Sequence, residues 1–439
     1  MSSPTRLFPG RRLVSLGAVL ALTLSSALVA PTARAGPTAK PTANPAPASA
    51  QPTASTDPVP PETVERAPVT VAATYELSGA GYGHGWGMSQ YGAYGAARRG
   101  LTWPQILRFY YPGTSRTLQR PRATIRVWVS ADKDDELRLP AAAGLRISDS
   151  LGHSRTLPRG TRYTGWRLKR SGSHFALSYR NPSGSWTRYR PPLSATTWWF
   201  SRQGKLVTIL LPKGVRRELR GAVGLVKDGK GGRTVNRVYV EDYVRGVVPA
   251  EMPTSWPGNA VRAQAVAARS YAVRLQARRK GAGGYDVCDT TSCQVYRGYA
   301  STSKGRRTVH ETGRGDLAVR GTARTVLAYR GTVAYTQFAS SNGGSSAKGD
   351  FPYLVAKLDP YDGLVRSNRW SKTLTASRIG RAFPSVGAVR SVRVTERNGV
   401  GRWGGRVVRM RIVGADRTIT VTGDQFRLKF GLRSTLFTL

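Results

Sequence analysis

The sequence has few cysteines, few histidines and few acidic side chains. Its 439 residues include two Cys and four His, and 24 Asp and Glu stand against 68 Lys and Arg, for a formal net charge of +44. Two cysteines exclude a disulfide-rich scaffold or a multi-cysteine zinc array. Ten Trp, 19 Tyr and ten Phe exclude a wholly disordered chain. The charge indicates an anionic partner, and nucleic acid, phospholipid and an acidic cell wall all fit it.

Long apolar runs are also lacking, apart from one near the start of the sequence. Arg11 and Arg12 precede an apolar and small-residue run over 13–30, and Ala33 and Ala35 form an A-x-A cleavage site. This order predicts a secretory signal peptide over residues 1–35. An uncleaved membrane anchor is the alternative, because about 18 apolar residues just span a bilayer. In both cases we expect a secreted or cell wall-associated protein with no nucleic-acid partner.

The segment that follows predicts a spacer and then one folded region. Residues 36–68 are mainly Pro, Ala, Thr and Ser, and they lack apolar periodicity. Such a composition cannot bury enough surface to offset its ordering entropy, so it predicts a disordered linker. We expect the folded domain to occupy 69–439, and no internal repeat interrupts it.

Alternating apolar and polar residues dominate the first half of that domain. Short runs of this kind, separated by turn residues, recur over 121–235 and predict an antiparallel or barrel-like β structure. Residues 260–277 carry Ala, Val and Leu at three- and four-residue spacing, which predicts a deeply packed, Ala-rich helix. The expected class is therefore α+β, with a β-rich core and a few helices.

A glycine-rich segment precedes two predicted helices. Five glycines occupy alternate positions over 79–87, which indicates unusual backbone angles or a very close neighbour. We expect helices over 88–99 and from a capping box at Thr102 through Tyr110. His84 lies between glycines, so its ring is either accessible for function or serves a tight turn by bonding a carbonyl.

One acidic residue is placed in a manner that suits catalysis. Glu251 lies between Pro249 and Pro253 in apolar surroundings, in a loop just ahead of the Ala-rich helix. Desolvation raises the pKa of such a carboxyl toward the range of a general acid. The alternative is a Glu that caps the helix or pairs with an arginine. Glu241 and Asp242, the nearby acids, are interpreted as charges that open a helix.

Two cysteines follow the helix at a spacing that allows two interpretations. Cys288 and Cys293 form a C-x4-C pair. Outside the cytoplasm such a pair can form a disulfide that closes a small loop. The two thiolates could instead be half of a tetrahedral zinc site, although the nearest histidine in sequence is His310.

Several of these segments together resemble one family. The runs 242–253 (DYVRGVVPAEMP) and 263–272 (AQAVAARSYA) are similar to the core signature of the SpoIID/LytB family, which includes stage II sporulation protein D and amidase enhancers. Further matching runs are 289–296 (DTTSCQVY), 340–344 (SSNGG), 430–435 (FGLRST) and 83–93 (GHGWGMSQYGA). In the family the last of these follows the GLRS region, whereas here it comes first. The resemblance covers about 215–439, and no match is assigned to 115–215.

The resemblance implies a peptidoglycan lytic transglycosylase that needs no cofactor. The family's catalytic glutamate falls on Glu251, which would protonate the bond between N-acetylmuramic acid and N-acetylglucosamine and then assist 1,6-anhydro ring closure. Denuded glycan strands are the implied substrate, and some members carry a metal near the cysteines, so a structural zinc at Cys288 and Cys293 is the associated expectation. The residues expected to line the glycan groove are His84, Gln90, Tyr271, Ser341 and Asn342.

Two non-enzymatic alternatives accompany this expectation. Amidase enhancers of the same family suggest a glycan-binding protein that assists a separate cell-wall amidase. A structural protein held by charge to anionic cell-wall polymers is the other alternative, and its binding would weaken steeply with salt.

Overall fold

The computed structural model describes residues 74–171, 174–190, 197–229, 231–279, 282–364 and 368–439. The predicted signal peptide (1–35), the predicted linker (36–68) and residues 69–73 lie outside this part of the chain. The described residues form seven α-helices and 26 β-strands, so the predicted α+β, β-rich class is confirmed. In these ranges no helix combines the length and the apolar character that a membrane crossing needs.

The helices are α1 (Gln90–Arg98), α2 (Trp103–Tyr110), α3 (Val240–Glu251), α4 (Gly258–Arg278), α5 (Gly313–Arg320), α6 (Ala376–Ala382) and α7 (Gly423–Phe430). The strands are β1 (Thr74–Ala80), β2 (Met88–Ser89), β3 (Ser115–Leu118), β4 (Thr124–Trp128), β5 (Glu136–Pro140), β6 (Arg146–Ser148), β7 (Ser154–Thr156), β8 (Gly165–Ser171), β9 (His174–Arg180), β10 (Trp186–Tyr189), β11 (Trp199–Ser201), β12 (Val207–Leu210), β13 (Arg216–Leu219), β14 (Ala222–Asp228), β15 (Gly231–Tyr239), β16 (Val287–Cys288), β17 (Ala300–Ser303), β18 (Arg306–Val309), β19 (Thr325–Tyr329), β20 (Thr332–Val333), β21 (Phe338–Ala339), β22 (Arg369–Thr375), β23 (Val389–Arg397), β24 (Val407–Gly414), β25 (Thr418–Thr422) and β26 (Phe437–Thr438).

Two large sheets and the helices α3 and α4 share the main hydrophobic core. Among the described strands, one sheet has the order β10-β9-β8-β5-β12-β13-β17-β18 and the other has the order β16-β4-β15-β14-β11-β6-β7. Their pairs are antiparallel except that of β16 with β4, which is parallel. In β4, the alternating Ile125 and Val127 are buried in this core. Most of these strands fall in the region where alternation predicted β structure.

The alanines of α4 allow its neighbours to approach closely. Ala263, Ala265, Ala267, Ala268 and Ala272 are fully buried, and α4 contacts α1, α2, α3, α5 and β19. Small side chains let several elements surround one helix without leaving voids. The predicted Ala-rich helix over 260–277 is confirmed, with one or two more residues at each end.

A smaller body is formed by the last part of the chain together with its first described strand. β1 lies between β22 and β26, and a three-stranded sheet of β23, β24 and β25 packs beside it around a second apolar core. The Gly83 amide donates to the Arg433 carbonyl at 2.7 Å. The GHGWGMSQ segment therefore lies directly against the GLRS segment, although the two are far apart in sequence.

The backbone angles and close neighbours of the alternating glycines explain why glycine occupies these positions. Gly85 and Gly87 have φ values of 80° and 64°, in the left-handed region that favours glycine. A Cβ atom would overlap the Arg406 guanidinium at Gly85 and the Gln337 carbonyl at Gly87. Both causes that the pattern suggested, positive φ and close approach, are thus confirmed. The glycines bring this segment against β21, at the edge of the candidate site.

Candidate active site

Glu251 is the last residue of α3 rather than part of a loop. The predicted loop is wrong at this point because the helix continues through Pro249, with Met252 as its C-cap. A proline removes one helical hydrogen bond and ordinarily ends a helix. Here Val247 and Val248 are fully buried in the last turns, so packing outweighs that loss. Glu241 and Asp242 occupy the first turn of α3, as predicted.

The environment of the Glu251 carboxyl favours its neutral form. Burial raises the pKa of this carboxyl, and a hydrogen bond from the Val295 amide, 2.6 Å from Oε1, acts in the opposite direction. The C-terminal end of a helix carries partial negative charge, which further disfavours a carboxylate at that position. A carboxyl of this kind retains its proton to a higher pH than an exposed one, as a general acid requires.

A cleft of about 250 Å³ opens onto Glu251. Four of the predicted site residues, Glu251, His84, Tyr271 and Cys293, meet here. Its lining consists of His84, Glu251, Tyr271, Thr291, Ser292, Cys293, Tyr335, Gln337 and Phe338. In this lining Glu251 is the one carboxyl, and hydroxyl groups and flat aromatic faces surround it.

His84 is held in its tight turn and is neutral near pH 7. Its Nδ1 accepts a hydrogen bond from the Trp86 amide at 3.0 Å, and the two rings stack with centroids 4.7 Å apart. Burial, aided by the positive charges of Arg406 and Arg427, lowers the pKa of His84 to about 4. The ring serves the turn through an amide rather than the expected carbonyl, and it also lines the cleft, while its functional role stays a prediction. It contributes a polar wall without a charge.

Tyr271 forms one side of the cleft with a second tyrosine. Its ring stacks on Tyr335 at 4.6 Å, and the Tyr335 hydroxyl donates to the Tyr271 hydroxyl at 3.1 Å. Burial raises the pKa of Tyr271 beyond its ordinary value, so the phenol stays neutral. The pair presents a flat aromatic surface suited to a sugar ring.

Gln90 supports the catalytic segment from behind instead of lining the cleft. Its buried Nε2 donates to the Glu251 carbonyl at 3.0 Å and to Gln264 Oε1 at 3.4 Å. These bonds tie the end of α3 to α1 and α4. Gln90 is therefore a positioning residue in this geometry, and the predicted direct contact with glycan is not what the structure shows.

Ser341 and Asn342 also lie beneath the surface. Ser341 Oγ donates to Asp362 at 2.7 Å, and Asn342 Nδ2 donates to Asp359 at 2.7 Å. Both residues are almost fully buried, so neither lines the cleft. Two buried aspartates, Asp359 and Asp362, hold their segment in place. Gln337 and Phe338 reach the cleft from the same stretch of chain.

Cys288 and Cys293 form a disulfide in the structure, which is one of the two predicted alternatives. Both sulfur atoms are then unavailable as thiolate ligands. In the ranges that the structure describes, no cluster of three or more His, Cys, Asp or Glu is arranged to hold a metal ion. The zinc expectation stays a prediction. The disulfide closes the loop that leads to Val295, whose amide binds Glu251.

Sequence reasoning missed several residues around the carboxyl. Val295 lies in the matching run 289–296 but acts through its backbone amide, which no side-chain pattern indicates. Tyr335 is 64 residues from its partner Tyr271 and gives no sequence signal. An aromatic group also lies close to the catalytic segment. Trp256 contacts Tyr91 and Tyr94, with ring centroids 5.0 and 4.9 Å away. The position of Trp256, five residues after Glu251, is the only sequence indication for it.

The comparisons with known proteins agree with the motifs. Residues 228–329 match the family model described as SpoIID, stage II sporulation protein. This range includes α3, most of the cleft and both cysteines. The resemblance to the SpoIID/LytB family is thereby confirmed.

Two Bacillus subtilis (strain 168) proteins are among the curated relatives. An amidase enhancer is 33% identical over 142 residues, which are 31% of this chain and 17% of the enhancer. Stage II sporulation protein D is 29% identical over 220 residues, which are 47% of this chain and 61% of that protein. Stage II sporulation protein D from Bacillus amyloliquefaciens is 28% identical over 244 residues, which are 50% of this chain and 68% of that protein. The chain thus spans between about a sixth and two thirds of these relatives.

Proposed function

We propose that this protein is a peptidoglycan lytic transglycosylase that cleaves between N-acetylmuramic acid and N-acetylglucosamine, with Glu251 as its general acid and base. The observation that carries the proposal is a single carboxyl with a raised pKa in a cleft. Within the described lining of that cleft there is no second carboxyl. Hydrolytic glycosidases use two, one as acid and one as base or nucleophile.

One carboxyl suffices for the proposed reaction. Neutral Glu251 donates its proton to the glycosidic oxygen as the bond from that oxygen to C1 of the muramyl residue breaks. The resulting carboxylate accepts the proton of the muramyl 6-hydroxyl while that oxygen bonds to C1. The proton thereby returns to Glu251, an anhydro ring closes, and no water is consumed.

The surroundings of Glu251 support both half-reactions. The Val295 amide binds Oε1 and stabilises the carboxylate that forms after the first proton transfer. Oε2 accepts no hydrogen bond from the described residues, so it is the oxygen that can face the substrate. Thr291 and Ser292 offer hydroxyls to sugar hydroxyls, and the stacked Tyr271 and Tyr335 offer a flat face.

The test uses purified protein and glycan strands from which the stem peptides have been removed. Mass spectrometry should detect products about 18 Da lighter than hydrolysed ones, the difference of one water. Glu251→Gln should abolish them, because it preserves shape and removes the acid. Glu396→Gln, a half-exposed carboxyl paired with Arg409, is the matched control and should retain activity. Hydrolysed products, or full activity in Glu251→Gln, would refute the mechanism.

A glycan-binding enhancer of a cell-wall amidase is the second candidate. It is supported by the relative named amidase enhancer, which is 33% identical over 142 residues. If this candidate is correct, the protein binds denuded strands without cleaving them and increases the rate of a purified N-acetylmuramoyl-L-alanine amidase. Cleavage by the isolated protein decides for the transglycosylase.

We place either activity outside the cytoplasm, at the cell wall. The support is the signal-like order of residues 1–35 together with the strong positive charge, which suits an anionic wall. Fractionation and N-terminal sequencing test this, since cleavage after Ala35 leaves Gly36 as the first residue. A full-length protein confined to the cytoplasm would contradict it.

A further inference from the structure

A cavity of about 500 Å³ lies apart from the catalytic cleft. It is formed by β4, β15 and the C-terminal part of α4, and it shares no lining residue with the cleft that contains Glu251. Three arginines line it: Arg120, Arg126 and Arg237. Its size is in the usual range of small-molecule sites.

Two of these arginines are direct neighbours across the sheet. Arg126 on β4 is paired in register with Arg237 on β15, so both side chains leave the same face of an antiparallel pair. Like charges directly opposite each other destabilise such a pair. An anion bound between the two strands would reduce the repulsion between these two arginines, which lie at the wall of the cavity.

The acid in this lining neutralises only one of the three arginines. Asp286 is 2% exposed, and its carboxylate accepts hydrogen bonds from the Arg126 amide and guanidinium and from Gln276 Nε2, each at 2.9 Å. Arg237 forms no ion pair with the described residues and stacks on Trp199, its guanidinium carbon 4.5 Å from the ring centroid. Arg120 is exposed and likewise has no acidic partner in the ranges described. The cavity therefore has an excess of two positive charges.

The positive character continues along the same face of the seven-stranded sheet. Arg233 lies over the rings of Trp128 and Tyr285, at 4.3 and 4.7 Å, and Arg279 lies over Tyr285 at 4.7 Å. Stacking on an aromatic ring fixes the orientation of a guanidinium. These two cations add positive charge to the region around Trp128 and Tyr285.

We propose that this cavity binds a phosphate group of a linear anionic polymer, with Arg120 and Arg237 as its ligands. A guanidinium matches phosphate by two parallel hydrogen bonds, which favours phosphate over a point-like anion contact. The volume exceeds that of a phosphate and leaves room for the adjoining unit of a chain. Because the cleft and the cavity share no lining residue, polymer held here leaves Glu251 accessible.

The test compares two variants that lose the same charge. Arg120→Gln/Arg237→Gln alters the cavity, and Arg390→Gln/Arg393→Gln removes two exposed arginines from β23 in the other body. Binding of poly(glycerol phosphate) is measured by calorimetry at about 0.15 M salt, where long-range attraction is screened. We expect the cavity variant to bind about ten-fold or more weakly, since each charge-assisted bond contributes more than a neutral one. The β23 variant should bind as the unaltered protein does.

Three outcomes overturn the proposal: equal losses in both variants, no loss in the cavity variant, or inorganic phosphate binding as tightly as the polymer. The last would assign the cavity to a free anion. Arg237→Lys keeps the charge and removes the guanidinium fork, so an intermediate loss supports bidentate binding and full binding contradicts it. Cleavage of glycan by the cavity variant should be unchanged, so failure of the transglycosylase proposal and failure of this one are distinguishable.

Discussion

The clamp between Arg269 and Glu241 provides a quantitative test of how α3 is held. The Arg269 side chain is fully buried and donates to both Glu241 carboxylate oxygens, at 2.8 and 2.9 Å. It also donates to the carbonyls of Thr325, Val319 and Ala265. Glu241 lies in the first turn of α3, and Glu251 ends the same helix. The clamp therefore fixes the helix that carries the proposed catalytic acid.

Glu241→Gln should destabilise the protein far more than its small change in shape suggests. The variant leaves a buried guanidinium without its counter-charge, and such a loss typically costs about 3–5 kcal/mol. The Glu241 side chain is 35% exposed, so water can replace part of the lost interaction. We therefore expect the lower end of the range, about 3 kcal/mol.

Urea unfolding monitored by Trp fluorescence measures this change. Glu396→Gln is again the matched control, because Glu396 is paired with Arg409 at 3.3 Å in a pair about half open to solvent. Exposed pairs contribute about 0–1 kcal/mol, so the control midpoint should barely move. A loss of less than about 1 kcal/mol in Glu241→Gln, or equal losses in both variants, would refute the assignment of a buried clamp.

Further predictions concern the cleft. Burial raises the pKa of Glu251 in the folded state, so the free energy of unfolding should fall as pH rises from the unfolded-state pKa toward the folded-state pKa. Glu251→Gln should remove this fall, and urea midpoints of both proteins measured across pH check it. Glycan cleavage should decline on the alkaline side as Glu251 loses its proton, and a rate independent of pH there would speak against the assigned acid. Tyr335→Phe removes the hydrogen bond to Tyr271 but keeps the stacked ring, and should cost about 1 kcal/mol in unfolding experiments. Reduction of the Cys288–Cys293 disulfide should cost about 2 kcal/mol of stability for so short a loop. Zinc analysis of protein prepared without chelator or oxidant tests the other alternative, and stoichiometric metal would show that the pair serves as thiolates.

Much of the local structure follows from patterns that act over a few residues. The capping box at Thr102 correctly predicts α2, because Gln105 Oε1 accepts a hydrogen bond from the Thr102 amide at 2.8 Å within the first turn. The glycines over 79–87 likewise predict strained backbone before any fold is known. Pro249 leads to a wrong local prediction, a loop at Glu251, because the packing that keeps α3 helical through this proline comes from distant residues.

The predictions for single site residues divide in the same manner. Glu251 lies in a family motif and among apolar residues in the sequence, and its carboxyl is also desolvated in the folded chain. Ser341 and Asn342 have polar side chains in a glycine-containing run, which resembles a surface loop. Their partners Asp359 and Asp362 lie 17 and 21 residues away, and only the fold brings those carboxylates beneath the loop.

Composition, periodicity and short motifs were enough to predict the α+β class, the resemblance to the family, the Ala-rich helix and Glu251 as the acid to examine. The groups that surround this acid are known only from the folded arrangement of the chain. The Val295 amide, the Tyr271–Tyr335 pair and His84 reach Glu251 from segments far apart in the chain, and desolvation exists only once they close around it. The same holds for the cavity of Arg120, Arg126 and Arg237, because cross-strand register places like charges together where no sequence spacing indicates it.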